Sequence, residues 1–119
     1  MLHQQTIEYN AAISAVIKET LKAKRMRVED FANKIGLTRT TLSSMLGRGS
    51  STKLWRLPTL LAAADALGIR VSDLIRAAEV TLSGRPNPLL AHYRAEKLSV
   101  EVDRLRSEVR RIMKELDNL

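Results

Sequence analysis

The 119-residue chain contains no cysteine, so neither a disulfide framework nor a thiolate zinc site can form. Its two histidines, His3 and His92, stand far apart without an acidic or histidine partner at ligand spacing, so we expect neither a metal nor a cofactor. No apolar run approaches the roughly 20 residues that cross a bilayer. The N-terminus also lacks the apolar core of a secretion signal. These absences predict a cytoplasmic protein without a membrane partner.

Aromatic residues make up only 3% of the chain, and β-branched residues do not cluster in alternating runs. We therefore expect an all-α fold, and the length suits one compact domain with an appendage. Two prolines and a glycine interrupt the segment Leu82–Pro88, which cannot continue a helix. The predicted organisation is a head at residues 1–80, a linker at 81–88 and a C-terminal helix at 89–119.

Apolar spacing predicts five helices in the head. The first should run from about Thr6 to Arg25, and Pro58 and Ser72 should start the fourth and fifth. The buried stripes expected on these three helices are Ile7, Ile13, Val16, Ile17, Thr20 and Leu21, then Leu60, Leu61, Ala64 and Leu67, then Leu74, Ile75 and Ala78.

Positive charge is concentrated in one part of the chain. Residues 18–56 carry ten basic and three acidic side chains, which equals the net charge of +7 of the whole sequence. An ordinary solvated face would explain a charge run of this kind. A nucleic-acid surface would explain it as well, and is favoured if the excess coincides with a reading element.

The stretch VEDFANKIGLTRTTLSSML, residues 28–46, predicts two short helices joined by a tight turn. Val28, Phe31, Ala32 and Ile35 share one helical face, and Gly36 suits a left-handed turn. Thr38 is a good N-cap for the second helix. The inner face of that helix is Leu42, Met45 and Leu46, and its outer face is Arg39, Thr40, Ser43 and Ser44.

This stretch resembles the helix-turn-helix of the lambda-repressor/Cro-like family. The resemblance rests on Ala32, Gly36 and the opening Thr38–Leu42, and it continues through Pro58–Leu67, Gly68-Ile69 and Val71–Ile75. It implies a five-helix, lambda-repressor-like head that binds double-stranded DNA. It covers roughly residues 11 to 79 and does not extend to the C-terminal helix.

The outer face of the second helix carries the residues that we expect to read bases. Arg39 suits a bidentate contact to guanine, and Thr40, Ser43 and Ser44 suit shorter polar or methyl contacts. Trp55 is expected to plug the core where the following loop returns, with base stacking as the alternative. The expected phosphate contacts are Arg27, Lys34, Thr38, Arg48, Ser50 and Lys53. For those of them that lie in the loop after the second helix, a flexible surface loop without a DNA contact is the alternative.

The C-terminal segment has a heptad repeat, because its apolar residues recur at alternating steps of four and three. β-Branched residues at a with leucine at d favour a parallel two-stranded coil, and Glu101 would face Arg106 of a partner. Met113 beside the stripe leaves room for a four-helix arrangement, and folding back onto the head is a further alternative. The residues predicted to drive self-association are Leu98, Val102, Leu105, Val109, Ile112 and Leu116, followed by Leu119.

Together these patterns predict a sequence-specific transcriptional regulator of bacterial or phage repressor type. It would bind an inverted-repeat operator as a dimer or tetramer. The alternative is a protein-interaction module, such as an antitoxin or anti-repressor. No nucleophile–base pair, carboxylate dyad or metal cluster stands out, and no small-molecule ligand is evident, so we do not expect an enzyme.

Overall fold

The computed structural model describes residues 4–47 and 53–119, and within these ranges all regular structure is helical. This confirms the all-α prediction. The six helices are α1 (Gln4–Lys24), α2 (Val28–Ile35), α3 (Arg39–Leu46), α4 (Leu57–Leu67), α5 (Val71–Leu82) and α6 (Pro88–Asp117).

The head, α1 to α5, is organised around α1. The main contacts of α1 are with α5, and it also meets α3 and α6, while α2 packs against α3 and α4. The predicted apolar stripes supply most of the core. Its largest fully buried side chains are Phe31, Ile17, Leu42, Leu67, Leu74, Val16 and Thr20.

Two predicted core residues lie outside the core. Ile7 is 41% exposed, because burial on α1 begins only at Ala12 and no described helix covers the first turns. Leu61 is 49% exposed, because α4 buries the face that carries Leu60 and Ala64. Leu61 lies one turn after Leu57, at the edge of that face, and Leu57 is exposed too.

The helix ends follow local backbone rules with two corrections. α4 begins at Leu57, one residue before the predicted start at Pro58. α5 begins at Val71 and not at Ser72, and the carboxylate of Asp73 accepts a hydrogen bond from the backbone N–H of Arg70 at 3.3 Å. Asp73 is the third residue of α5 and satisfies the backbone N–H of the N-cap residue Arg70, whereas Ser72 lies inside α5 and does not cap it. Arg25 closes α1 with φ 56, a left-handed conformation that glycine adopts at lower cost.

The N-terminal end of α6 is fastened to the head. Leu89 and Tyr93 are buried, and the Tyr93 hydroxyl donates to the carbonyl of Leu67 at 3.3 Å. The ammonium of Lys24 donates to the same carbonyl at 2.8 Å and lies 5.0 Å from the centre of the Tyr93 ring. We call this meeting of the ends of α1, α4 and α6 the Leu67 junction.

Beyond the Leu67 junction α6 leaves the head. Every residue from 94 to 119 is exposed, and the described part of the chain extends over 76 × 31 × 22 Å. The heptad stripe therefore does not fold back onto its own head. The division into head, linker and C-terminal helix at residues 80 and 88 stays a prediction, although α5 ends and α6 begins close to those positions.

The Leu67 junction predicts a stability change at high pH. Burial raises the pKa of the Tyr93 phenol, and the negative charge of Glu96 raises it further by a smaller amount. A raised folded-state pKa means that the neutral phenol stabilises the fold. This contribution is complete below the unfolded-state pKa of about 10 and is lost as the pH rises through the higher folded-state value. Urea unfolding between pH 8 and 11 should therefore show a steeper loss for the wild type than for Tyr93→Phe.

At pH 7, Tyr93→Phe should lower the free energy of unfolding by about 0.5–1.5 kcal/mol through the lost hydrogen bond. The conservative change Val100→Ala on the exposed part of α6 serves as the control, with an expected effect within about 0.5 kcal/mol. Parallel pH profiles for wild type and Tyr93→Phe would contradict the role given to the phenol.

Candidate nucleic-acid interface

The turn between α2 and α3 is held by backbone geometry that the sequence predicts. Gly36 has φ 76 and ψ 24, and the N–H of Leu37 donates to the carbonyl of Ala32 at 2.9 Å. A side chain at Gly36 would be strained in this left-handed conformation, even though there is space for it. The turn therefore fixes the direction in which α3 starts.

Thr38 caps α3 as predicted. Its hydroxyl oxygen accepts from the backbone N–H of Thr41 at 3.1 Å, and the hydroxyl donates to the Thr41 hydroxyl oxygen at 2.9 Å. The amide that would be unpaired at the start of the helix is thereby satisfied. The hydroxyl is engaged within α3, so a phosphate contact by Thr38 would require its hydrogen to turn outward.

The inner face of α3 is buried and its outer face is open. Leu42, Met45 and Leu46 belong to the core. Leu42 is completely buried. The four predicted base-reading side chains lie on the other side and are all exposed, namely Arg39, Thr40, Ser43 and Ser44.

A buried polar network anchors the end of α3. The hydroxyl of Ser14, on α1, donates to the carbonyl of Met45 at 2.8 Å and accepts from the indole N–H of Trp55 at 2.9 Å. The amide of Asn10 extends the network, because its oxygen accepts from the backbone N–H of Trp55 at 2.8 Å and its nitrogen donates to the carbonyl of Lys53 at 3.3 Å. The end of α3 and the segment before α4 are thus both tied to α1.

This network was not predicted from the sequence, although Trp55 was expected to plug the core and is buried. The signal for Ser14 was its position inside an apolar stripe between Ile13 and Val16. A hydroxyl in that place needs a buried partner. Asn10 gave no comparable signal, because it lies near the exposed start of α1.

The predicted phosphate contacts come from segments before and after α3 in the sequence. Arg27 precedes α2, Lys34 lies in its last turn, and Lys53 follows α3; all three are exposed. Neither Arg27, Lys34 nor Arg39 forms a salt bridge within residues 4–47 and 53–119. Arg48 and Ser50 lie outside the described residues, as does His3.

Residues 16–78 match the Cro/C1-type helix-turn-helix DNA-binding domain, over more than half of the chain. The chain belongs to this family. The Cro/C1-type match begins within α1 and ends within α5, so it contains α2, the turn, α3 and α4 but not α6. Comparisons with curated proteins and with solved structures gave no match.

Membership of the Cro/C1-type family identifies a DNA-binding regulator, and α2 and α3 are its helix-turn-helix. In that motif the second helix enters the major groove with its N-terminal residues toward the bases. Arg39 and Thr40 are the first two residues of α3. None of the described helices has an apolar stretch long enough to cross a membrane, and the described residues contain no cluster of potential metal ligands.

The Ser14 network predicts a large loss of stability in Ser14→Ala. This change would leave two buried groups, the Met45 carbonyl and the Trp55 indole N–H, without a partner. The expected decrease in the free energy of unfolding is about 2–4 kcal/mol, since each unsatisfied group costs roughly 1–3 kcal/mol. Urea unfolding followed by circular dichroism measures it.

Ser72→Ala is the matched control, because Ser72 is exposed within α5. It should change the unfolding free energy by less than about 0.5 kcal/mol. Equal stabilities for the two variants would contradict the structural role of the Ser14 network.

Proposed function

We propose that the protein is a sequence-specific transcriptional regulator of the bacterial or phage repressor type, and that it binds an inverted-repeat operator. The observation that carries this proposal is the outer face of α3, where every predicted base-reading side chain is exposed while the inner face is buried. A helix with short polar groups and one long cation can enter the major groove without a steric obstacle.

Within this proposal Arg39 makes the main base contact. Its guanidinium has the fork geometry that pairs with the two acceptors of guanine in the major groove. Thr40 follows it in the first turn, and Ser43 and Ser44 lie one turn later on the same face. Their hydroxyls would reach neighbouring bases.

Phosphate contacts would hold the head in register on the duplex. Arg27, Lys34 and Lys53 are exposed and lie before, within and after the helix-turn-helix, so we assign phosphate contacts to them. We assign the same role to Arg48, Ser50 and Thr38.

Self-association through α6 would place two heads on one operator, as a dimer or as a pair of dimers. The support is the apolar stripe of α6, which remains exposed in the single chain although an apolar surface of this length is costly in water. Two heads related by a two-fold axis would read half-sites with centres roughly 34 Å apart or a multiple of that distance.

A protein-interaction module, such as an antitoxin or anti-repressor, is the second candidate. It is favoured by Leu57 and Leu61, which form an exposed apolar pair one turn apart on α4. A module of this kind requires neither base preference nor a steep salt dependence of DNA binding, whereas the regulator requires both.

The regulator predicts that Arg39→Ala relaxes the preference at one base position. The affinity for the preferred site should fall by about 1–3 kcal/mol, because a bidentate contact is lost. Binding-site selection followed by titrations at several salt concentrations measures both effects. Arg76→Ala, which removes another exposed arginine, from α5, is the matched control and should keep the preference. If Arg39→Ala selects the same sites as the wild type, Arg39 does not read a base.

Self-association predicts that Val109→Glu makes the protein monomeric, because a charge would enter the centre of the apolar stripe. Ser107→Glu places the same charge on the opposite face of α6 and is the matched control. Sedimentation equilibrium should give a multiple of the chain mass for wild type and Ser107→Glu, and a single chain for Val109→Glu. Binding to a full operator should weaken with the loss of the dimer. A single-chain mass for the wild type would refute self-association.

A further inference from the structure

The outer part of α6 carries an unpartnered apolar face. We call residues 98–119 the rod. The head buries only the first turns of α6, through Leu89 and Tyr93, and no described residue covers the rod. The exposed apolar side chains at its a and d positions are Leu98, Val102, Leu105, Val109, Ile112, Leu116 and Leu119.

The two edges of this face differ in charge. The g positions on one edge are all glutamate, namely Glu101, Glu108 and Glu115. The e positions on the other edge are Ser99, Arg106 and Met113. One edge is therefore acidic throughout, and the other carries a single cation.

We propose that a second copy of the chain covers this face in a parallel, in-register orientation, so that both heads lie at the same end of the coil. This inference rests on the self-association proposed above and adds its direction. In a parallel pair, each g position faces the e position five residues later in the partner. Glu101 then faces the partner's Arg106, and two-fold symmetry repeats the attraction on the other side.

An antiparallel pair places like charges together on both edges. There g faces g and e faces e, so that Glu108 meets the partner's Glu108, Glu101 meets the partner's Glu115, and Arg106 meets the partner's Arg106. Each exposed pair contributes little. However, every charged pair in this orientation is repulsive, whereas the parallel orientation contains attractive pairs only. The electrostatic interaction between the two chains is therefore more favourable in the parallel orientation.

Glu101 can pair with Arg106 of a partner chain while it keeps its hydrogen bond to Arg104 in its own helix. Its Oε1 atom accepts from Nη2 of Arg104 at 2.6 Å. A carboxylate has a second oxygen and several lone pairs, so it can accept from two cations.

The orientation sets the distance between the two heads. The Leu67 junction attaches each head at the N-terminal end of α6, so a parallel coil brings both heads to the same end. An antiparallel coil would separate the two attachment points at Tyr93 by roughly 40 Å at 1.5 Å per residue.

Single cysteines test the orientation directly, because the chain has none of its own. In full-length protein in a thiol–disulfide buffer, Leu98→Cys and Leu116→Cys should each form an interchain disulfide with its own copy. A disulfide needs Cα atoms within about 7 Å. An antiparallel pair holds equal positions near the rod ends about 27 Å apart and would instead link Leu98→Cys to Leu116→Cys in an equimolar mixture.

Charge reversal provides a second test. Arg106→Glu should weaken the dimer on the order of tenfold, because two attractive pairs become repulsive. The double variant Glu101→Lys/Arg106→Glu should recover most of that loss. Arg110→Glu changes the same charge at an outward b position and is the control. In an antiparallel pair Arg106→Glu would only replace one repulsion by another, so an unchanged dimer would overturn the proposal.

The outcomes separate this inference from the proposed function. Disulfides that form only in the mixture, with a dimer mass, overturn the parallel orientation and leave self-association intact. A single-chain mass with normal site selection overturns both self-association and orientation but leaves DNA reading by the head. Disulfides in both single variants, together with the charge-swap recovery, support the parallel coil.

Discussion

The position of α3 depends on the hydroxyl of Ser14. This one group accepts from the indole of Trp55 and donates to the carbonyl of Met45, so it connects α1, the last turn of α3 and the segment before α4. It is 7% exposed, and in a buried site a hydrogen bond is costly to leave unmade. The Gly36 turn fixes where α3 starts, and Ser14 fixes where it ends. The outer face of α3 can then stay polar and open without a stabilising contact of its own.

The features that sequence predicted well are those determined by a few neighbouring residues. The left-handed turn follows from Gly36, the cap of α3 from Thr38, and the long final helix from an unbroken heptad pattern. The predictions that were wrong depend on what packs nearby. Ile7 continues the apolar stripe of α1 into the first turns of that helix, which no other described helix covers, so it is exposed. The apolar sequence of α4 has almost no polar residue to reveal its outer face, so Leu61 was placed inside. The Ser14 network joins residues 31 and 41 positions apart, which periodicity does not detect.

The head and the rod differ in net charge. The excess positive charge lies in residues 18–56, around the helix-turn-helix, while charges of both signs are interspersed along the rod. The head therefore has a field that attracts a polyanion, and the rod has nearly none. This difference favours a rod that points away from the duplex and whose own pairing depends mainly on apolar contact. It also explains why the rod alone gives no indication of DNA binding.

The shortness of the rod has a quantitative consequence. A repeat of little more than three heptads is marginal as a coil, and its core contains only modest aliphatic side chains. If two chains pair as proposed, the pair would dissociate on dilution, and below its dissociation constant the amount of paired protein rises with the square of the total. Operator occupancy would then rise more steeply than in proportion to cellular copy number. A gene controlled in this way could switch over a narrow range of expression without any effector molecule.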